Sequence, residues 1–186
     1  MELAGALRIQ ARANRLANHR LHAAMAALSR SDLHVARASF FASLAATLNH
    51  ILAVDSYYLD ALTREPAAAA RYAAFRPALE LAELAALQAA SDERLIAYCD
   101  CLDAAACAVP VEMDRGDHVQ RDLAGHVLAH LFMHQTHHRG QVHGMLGSTA
   151  VAPPQLDEFL MPSEAHLRAA DMAALGWTEA DVFGSR

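Results

Sequence analysis

At 186 residues, 54% hydrophobic and 19% charged, the chain has the size and apolar content of one globular domain with its own core, which excludes disordered, collagen-like and linker-type sequences. Its 15 cations against 21 carboxylates give a net charge of −6, which leaves no field to hold a polyanion and argues against nucleic acid as a partner. No apolar run reaches the roughly 18–20 residues that span a bilayer, and Arg8, Arg12, Arg15 and Arg20 interrupt the N-terminal region without a signal-type apolar core, so the expectation is a cytoplasmic protein with no membrane partner.

Apolar residues recur with a helical period almost throughout, and no stretch longer than about five residues alternates with period two, which predicts an all-α chain. A first helix is expected from Gly5 to Leu28, with Leu7, Leu21 and Leu28 in one row and Asn14 in its missing place. Ser29-Arg30-Ser31-Asp32 breaks that pattern. A second helix is expected from Ser39 to Leu62, capped by Ser39, with Phe40, Leu44, Ile51, Tyr58 and Leu62 as its buried stripe and Pro66 just past its end. Ala67 to Phe75 reads as a short helix or helical loop. Pro77 suits the first turn of a third helix running to Cys107, supported by Leu81, Leu84, Leu87, Leu95, Tyr98 and Leu102.

Val109 to Met113, followed by Asp114-Arg115-Gly116, reads as a short extended piece and a turn. Asp117 with Gln120 resembles a capping box opening a fourth helix that Gly147 ends. Pro153-Pro154 closes that element, and Ser163 to Leu175 reads as a shorter helix with Gly176 at its C-terminal end. Four helices of roughly 24 to 31 residues are about 35 to 45 Å long and bury most surface side by side. The expected fold is therefore a four-helix bundle with a C-terminal helical appendage, and no repeat or linker divides residues 1–186 into two domains.

Every cation is arginine, and the absence of lysine excludes lysine Schiff-base chemistry. Cys99, Cys101 and Cys107 are odd in number and lack Cys-x-x-Cys spacing, so they are expected to be reduced and not to form a thiolate zinc site. The anomaly is histidine, with 12 in the chain where usual frequencies give about four. Seven of them, His118, His126, His130, His134, His137, His138 and His143, crowd around the fourth helix. At roughly 100° per residue, Leu123, Val127, Leu131, Val142 and Met145 define an apolar arc, and His134 and His138 fall inside it. An i, i+4 pair on one helical face is the spacing at which two imidazoles share a metal ion. Gln141 lies in the same arc, where a buried amide needs a partner. His130 and His137 lie at its edge, His126 farther out, and His118 and His143 on roughly the opposite side, as surface residues.

A third ligand is available in the second helix, where Thr47-Leu48-Asn49-His50 places His50 beside the apolar arc. Asp55 follows one and a half turns later, as a partner orienting a ring N–H or as a capping or salt-bridging group. Three neutral imidazoles on a divalent ion leave one to three positions for water or substrate, the open arrangement of a catalytic site.

With Thr47-Leu48-Asn49-His50 on one helix and His134-Gln135-Thr136-His137-His138-Arg139-Gly140-Gln141 on another, the sequence resembles the DinB family of damage-inducible bacterial proteins. The likeness runs nearly end to end, including Asn14 and Asn18, Phe40-Phe41, Asp92, and Pro153-Pro154-Gln155-Leu156-Asp157-Glu158-Phe159. The resemblance implies an up-down-down-up bundle, commonly a homodimer, with one divalent metal held by three histidines, here His50, His134 and His138. Kinship with thiol-dependent S-transferases and a mycothiol-dependent isomerase implies a metal-bound thiolate nucleophile. Leu16 stands where the family pattern leads one to expect Trp, and Tyr57 and Tyr58 follow Asp55 where a single aromatic is frequent; both departures bear on substrate choice.

The first functional expectation is thus a metalloenzyme of the thiol-dependent transferase type, with a metal-dependent hydrolase as a variant. Its ion would be zinc or nickel, with iron, copper or manganese as alternatives, and its small-molecule partner a low-molecular-weight thiol. Candidate acid–base groups are His130, His137 and Asp55, and candidate substrate contacts are Arg139, Gln141 and Asn18. The competing expectation is a metal-binding stress-response bundle without turnover, in which the ion ties two helices together and the bundle serves as a dimer module.

Overall fold

The computed structural model describes residues 2–184 and is mostly helical, with one small two-stranded sheet. Helix α1 spans Leu3–Met25 and α2 spans Arg30–His34, opened by a reciprocal cap between Ser29 and Asp32. Helix α3, Leu44–Leu62, starts later than the expected Ser39. Its cap is Ser43, whose Oγ accepts from the Ala46 N–H at 3.1 Å. The preceding residues fold into a loop closed by the Arg37 N–H on the Ala42 carbonyl at 2.7 Å, which leaves Phe40 81% exposed instead of in the buried stripe.

Helix α4 spans Ala68–Ala73 and α5 spans Leu81–Asp100. The long third helix expected from Pro77 to Cys107 is shortened at both ends. The Asn49 side chain grips the Ala78 backbone twice, its Nδ2 donating to the carbonyl at 2.9 Å and its Oδ1 accepting from the N–H at 2.8 Å. That clamp holds the chain off helical geometry until Leu81. At the other end Asp103 caps a separate short helix, α6 (Ala104–Cys107), by accepting from the Ala106 N–H at 2.7 Å.

The extended piece is present as β1, Pro110–Asp114, and it pairs antiparallel with β2, Val119–Leu123, in a register from Pro110↔Leu123 to Asp114↔Val119. The turn between them contains Gly116 at φ +90°, a conformation that suits glycine. This pairing overturns the expected capping box at Asp117, because the backbone groups it would have turned into a helix are committed to the hairpin. Helix α7 therefore begins at Ala124 and runs to Leu146, with Gly147 as its cap, and Leu123 is 38% exposed rather than in the apolar arc.

After α7 the single helix expected from Ser163 to Leu175 is two pieces, a 3-10 helix at Pro162–Leu167 and α8 at Ala169–Leu175; α9 follows at Glu179–Phe183. The break falls at Arg168, a fully buried side chain whose guanidinium donates to Glu179 and to the carbonyls of Glu158 and Met161, each at 3.0 Å. Gly176 closes α8 at φ +68°, as the sequence leads one to expect.

Helix α1 packs on α5 and α7, and α3 packs on α7 and α5. Each long helix contributes to two apolar clusters separated by polar positions. In α1, Asn14 and Asn18 lie between Ala11 and Leu21; in α3, Asp55 lies between Ile51 and Leu59. In α5, Gln88 and Asp92 lie between Leu84 and Leu95; in α7, Gln135 and Arg139 lie between Leu131 and Val142. The four helices thus meet in a buried polar layer with an apolar core above and below. Among the described residues, no helix is long and apolar enough to cross a membrane.

Candidate metal centre

Helix α3 presents His50 and α7 presents His134 and His138 to the same point, with one ligand atom from each lying within 4.8 Å of the others. Among the described residues this is the one group of three or more His, Cys, Asp or Glu side chains so arranged. The Nε2 atoms of His50 and His134 are 2.9 Å apart. His138 is oriented from its own helix: its Nδ1 meets Gln141 Oε1 at 2.8 Å, leaving Nε2 for the cluster. Phe41, from the loop before α3, lies 4.3 Å from the His50 ring and 5.5 Å from the His138 ring, centroid to centroid.

The electrostatics keep these rings neutral. Burial lowers His50 to about 4, with the His138 charge adding to the effect. Burial lowers His134 to about 3, reinforced by His138 and His50. His138 is also lowered by burial, against the opposing hydrogen bond that it donates to Gln141. Neutral imidazole is the form that donates a lone pair to a metal. Protonating more than one of the three would set like charges against each other, so the cluster favours neutral rings whose lone pairs can face a common cation.

The other sequence candidates fall elsewhere. His137 is exposed, 4.8 Å from the His138 ring and 3.1 Å from Gln141 Nε2, on the rim of the cluster. His130 is exposed and lies edge-on to Tyr58 at 5.8 Å, toward the hairpin. His126 and His118 are exposed, His118 beside Asp117 at 2.7 Å, and His143 is half-buried. Gln141 has found its expected partners in His138 and His137, one turn earlier in α7.

Asp55, Asn18 and Arg139 belong to the polar layer. Asp55 accepts from Gln88 Nε2 at 2.8 Å and orients none of the histidine rings. Asn18 donates to Asp92 at 2.9 and 3.1 Å and accepts from Arg139 at 3.1 Å. Arg139 also donates to Asn14, and at 3.4 Å to Thr136 Oγ1. Burial raises Asp55 to about 6, opposed by Gln88, Gln135 and Arg139. Burial and the Asp55 charge raise Asp92 to about 7, opposed by hydrogen bonds from Asn18 and Gln88. Burial draws Arg139 down to about 10 while Asp92 and Asp55 hold it up. The layer is a connected set of charges and amides, and sequence reasoning missed it as a unit. Its signature was there, in polar residues at otherwise apolar core positions of all four long helices.

Residues 9–172, most of the chain, match the family model of the DinB family. No curated protein matches the chain.

Proposed function

The chain belongs to the DinB family, and from that premise we propose that His50, His134 and His138 bind one divalent metal ion in a metal-dependent enzyme of the thiol-dependent transferase type. The observation that carries this reading is the convergence of three neutral imidazoles with no carboxylate or thiolate in the group, a donor set that suits zinc or nickel and leaves coordination positions for an exogenous ligand. Bound there, the ion would supply Lewis acidity that lowers the pKa of a coordinated thiol or water.

The chain's own residues do the rest. Gln141 fixes the His138 ring and hence which nitrogen faces the site. Phe41 covers the His50 and His138 rings and keeps water off that side. His137 and His130 are the histidines at hand for proton transfer at the rim, whereas Asp55, Asn18 and Arg139 hold helices together and are assigned no contact with substrate.

The pairings Arg12–Asp100, Arg15–Glu93 and Asn18–Asp92, with Asp55–Gln88, Asp60–Arg94 and Tyr58–His130, support an up-down-down-up order of the four long helices in one domain. Kinship suggests a homodimer for the assembly and a low-molecular-weight thiol for the partner substrate.

The test is elemental analysis of untagged protein, comparing the wild type with H134A and H138A. One equivalent of zinc or nickel in the wild type, lost in both variants, is the expected result; a wild type that takes up neither metal refutes the site. Cobalt-loaded protein then separates the two roles. A thiolate-to-cobalt charge-transfer band appearing on addition of 2-mercaptoethanol supports an open site, and an unchanged spectrum supports an ion that only ties α3 to α7.

A further inference from the structure

The hairpin leans on α3 and α7 and encloses a cavity of about 320 Å³ whose wall includes Tyr58, Arg115, Gln120, Asp122, His126 and His130. Arg115 is its centre. The guanidinium carbon stands 5.5 Å from the ring centroids of both Tyr57 and Tyr58. Its Nε donates to Gln120 Oε1 at 2.9 Å and its Nη2 to Tyr58 Oη at 3.1 Å. All of these partners are neutral, so they orient the cation without cancelling its charge.

The carboxylate on the same wall, Asp122, is taken by Gln120 Nε2 at 2.6 Å, and Arg115 makes no salt bridge among the described residues. Nη2 is shared between Tyr58 Oη at 3.1 Å and Met113 Sδ at 3.8 Å, whereas Nη1 has no hydrogen-bond partner among the described residues and is the guanidinium donor left for an anion. The Tyr58 hydroxyl accepts from Arg115, and its own proton is free to donate to the same anion.

We propose that this cavity binds a carboxylate group of the protein's small-molecule substrate, held end-on by Arg115 and by the Tyr58 hydroxyl. The single guanidinium charge, with Asp122 close by, favours a monoanionic carboxylate over a phosphate dianion. The assignment of the other end of that substrate rests on the metal reading above. His130 precedes His134 by one turn of α7, and Tyr58 follows His50 by two turns of α3, which at 1.5 Å per residue are distances of about 6 and 12 Å. The substrate class is therefore an acidic small molecule whose reacting group lies several bonds from its carboxylate.

Binding is read on chelator-treated, metal-free full-length protein carrying ¹³C-methyl methionine, using the Met113 methyl, whose sulfur is 3.8 Å from Arg115 Nη2. Butyrate is the probe and butyramide its neutral control. The expected result is a saturable Met113 shift with butyrate only, weakened about tenfold or more in R115Q, as for loss of a charge-assisted pair, weakened less in Y58F, and unchanged in H134A. Equal shifts with butyramide, no saturable shift, undiminished binding in R115Q, or loss of binding in H134A would each overturn the proposal. Butyrate binding in a wild type that takes up neither zinc nor nickel would refute the metal reading and leave the carboxylate subsite standing.

Discussion

Replacing Arg139 with methionine tests whether the guanidinium is the counter-charge of the buried layer. The side chain is 8% exposed and donates to Asn14, Asn18 and Thr136, with Asp92 and Asp55 as its nearest opposite charges. Methionine fills much of the volume but strands two amide oxygens and leaves Asp55 without a cation and Asp92 with only the charge of Arg15. Breaking a buried charge network from one side costs about 3–5 kcal/mol, which for a chain of this size lowers Tm by roughly 10 °C.

The loss should also depend on pH. Folding raises Asp55 to about 6 and Asp92 to about 7, above the unfolded value of about 3.9. Stability from these groups is therefore fully present below about pH 4 and is lost as pH rises through 6 and 7. Arg139 restrains that loss by stabilising the charged forms. Without it the folded pKa values climb further, so the penalty is expected to be larger at pH 8 than at pH 5 by about 1–2 kcal/mol, one pKa unit being 1.36 kcal/mol. Urea denaturation of wild type, R139M and R139K at the two pH values measures this, with R139K falling between the others because it keeps charge but not the fork. A loss in R139M below about 1 kcal/mol, or equal losses at both pH values, would refute the counter-charge role.

Gln141→Leu removes the hydrogen bond that sets the His138 ring, and zinc affinity is expected to fall about 10- to 100-fold in competition with a chromophoric chelator; H137A, on the rim, should bind normally. Thiol titration at pH 8 is expected to find the exposed Cys101 reacting fast while Cys99, pushed up to about 12 by burial, and Cys107, also raised by burial, stay silent until urea unfolds the chain. Rapid labelling of Cys99 in the folded state would contradict its burial. Gly176→Ala forces a side chain into φ +68° and is expected to cost about 1–2 kcal/mol in thermal or urea unfolding; an unchanged midpoint would mean the turn can relax.

Much of the protein was legible in one dimension. Helical periodicity marked the long helices, and the proline and glycine signals marked the extended piece before Gly116 and the helix end at Gly176. The His134–His138 spacing marked a ligand pair because i and i+4 share a face in any helix. Helix starts were not legible where two local signals competed. Ser39 and Ser43 are equal as caps, and the turn at Arg37–Ala42 chooses between them. Pro77 suits a first turn, yet Asn49, 29 residues away in sequence, clamps Ala78 out of it. Asp117 and Gln120 match a capping box, but the partner strand claims the Gln120 backbone and Asp117 falls in the hairpin turn.

The same division holds at the site. His138 and Arg139 are adjacent, and a helical wheel separates them by only about 100°, too little to say that one faces α3 and the other α1. The packing of α7 between those two helices decides it, sending His138 to the histidine cluster and Arg139 to Asn14 and Asn18. His50 likewise sits beside its own apolar arc, and only the approach of α3 to α7 brings its Nε2 within 2.9 Å of His134. Periodicity is a property of a single helix, whereas a cluster of ligands or a buried charge network is a property of which helices face one another, and that is settled by how their side chains fill the space between them.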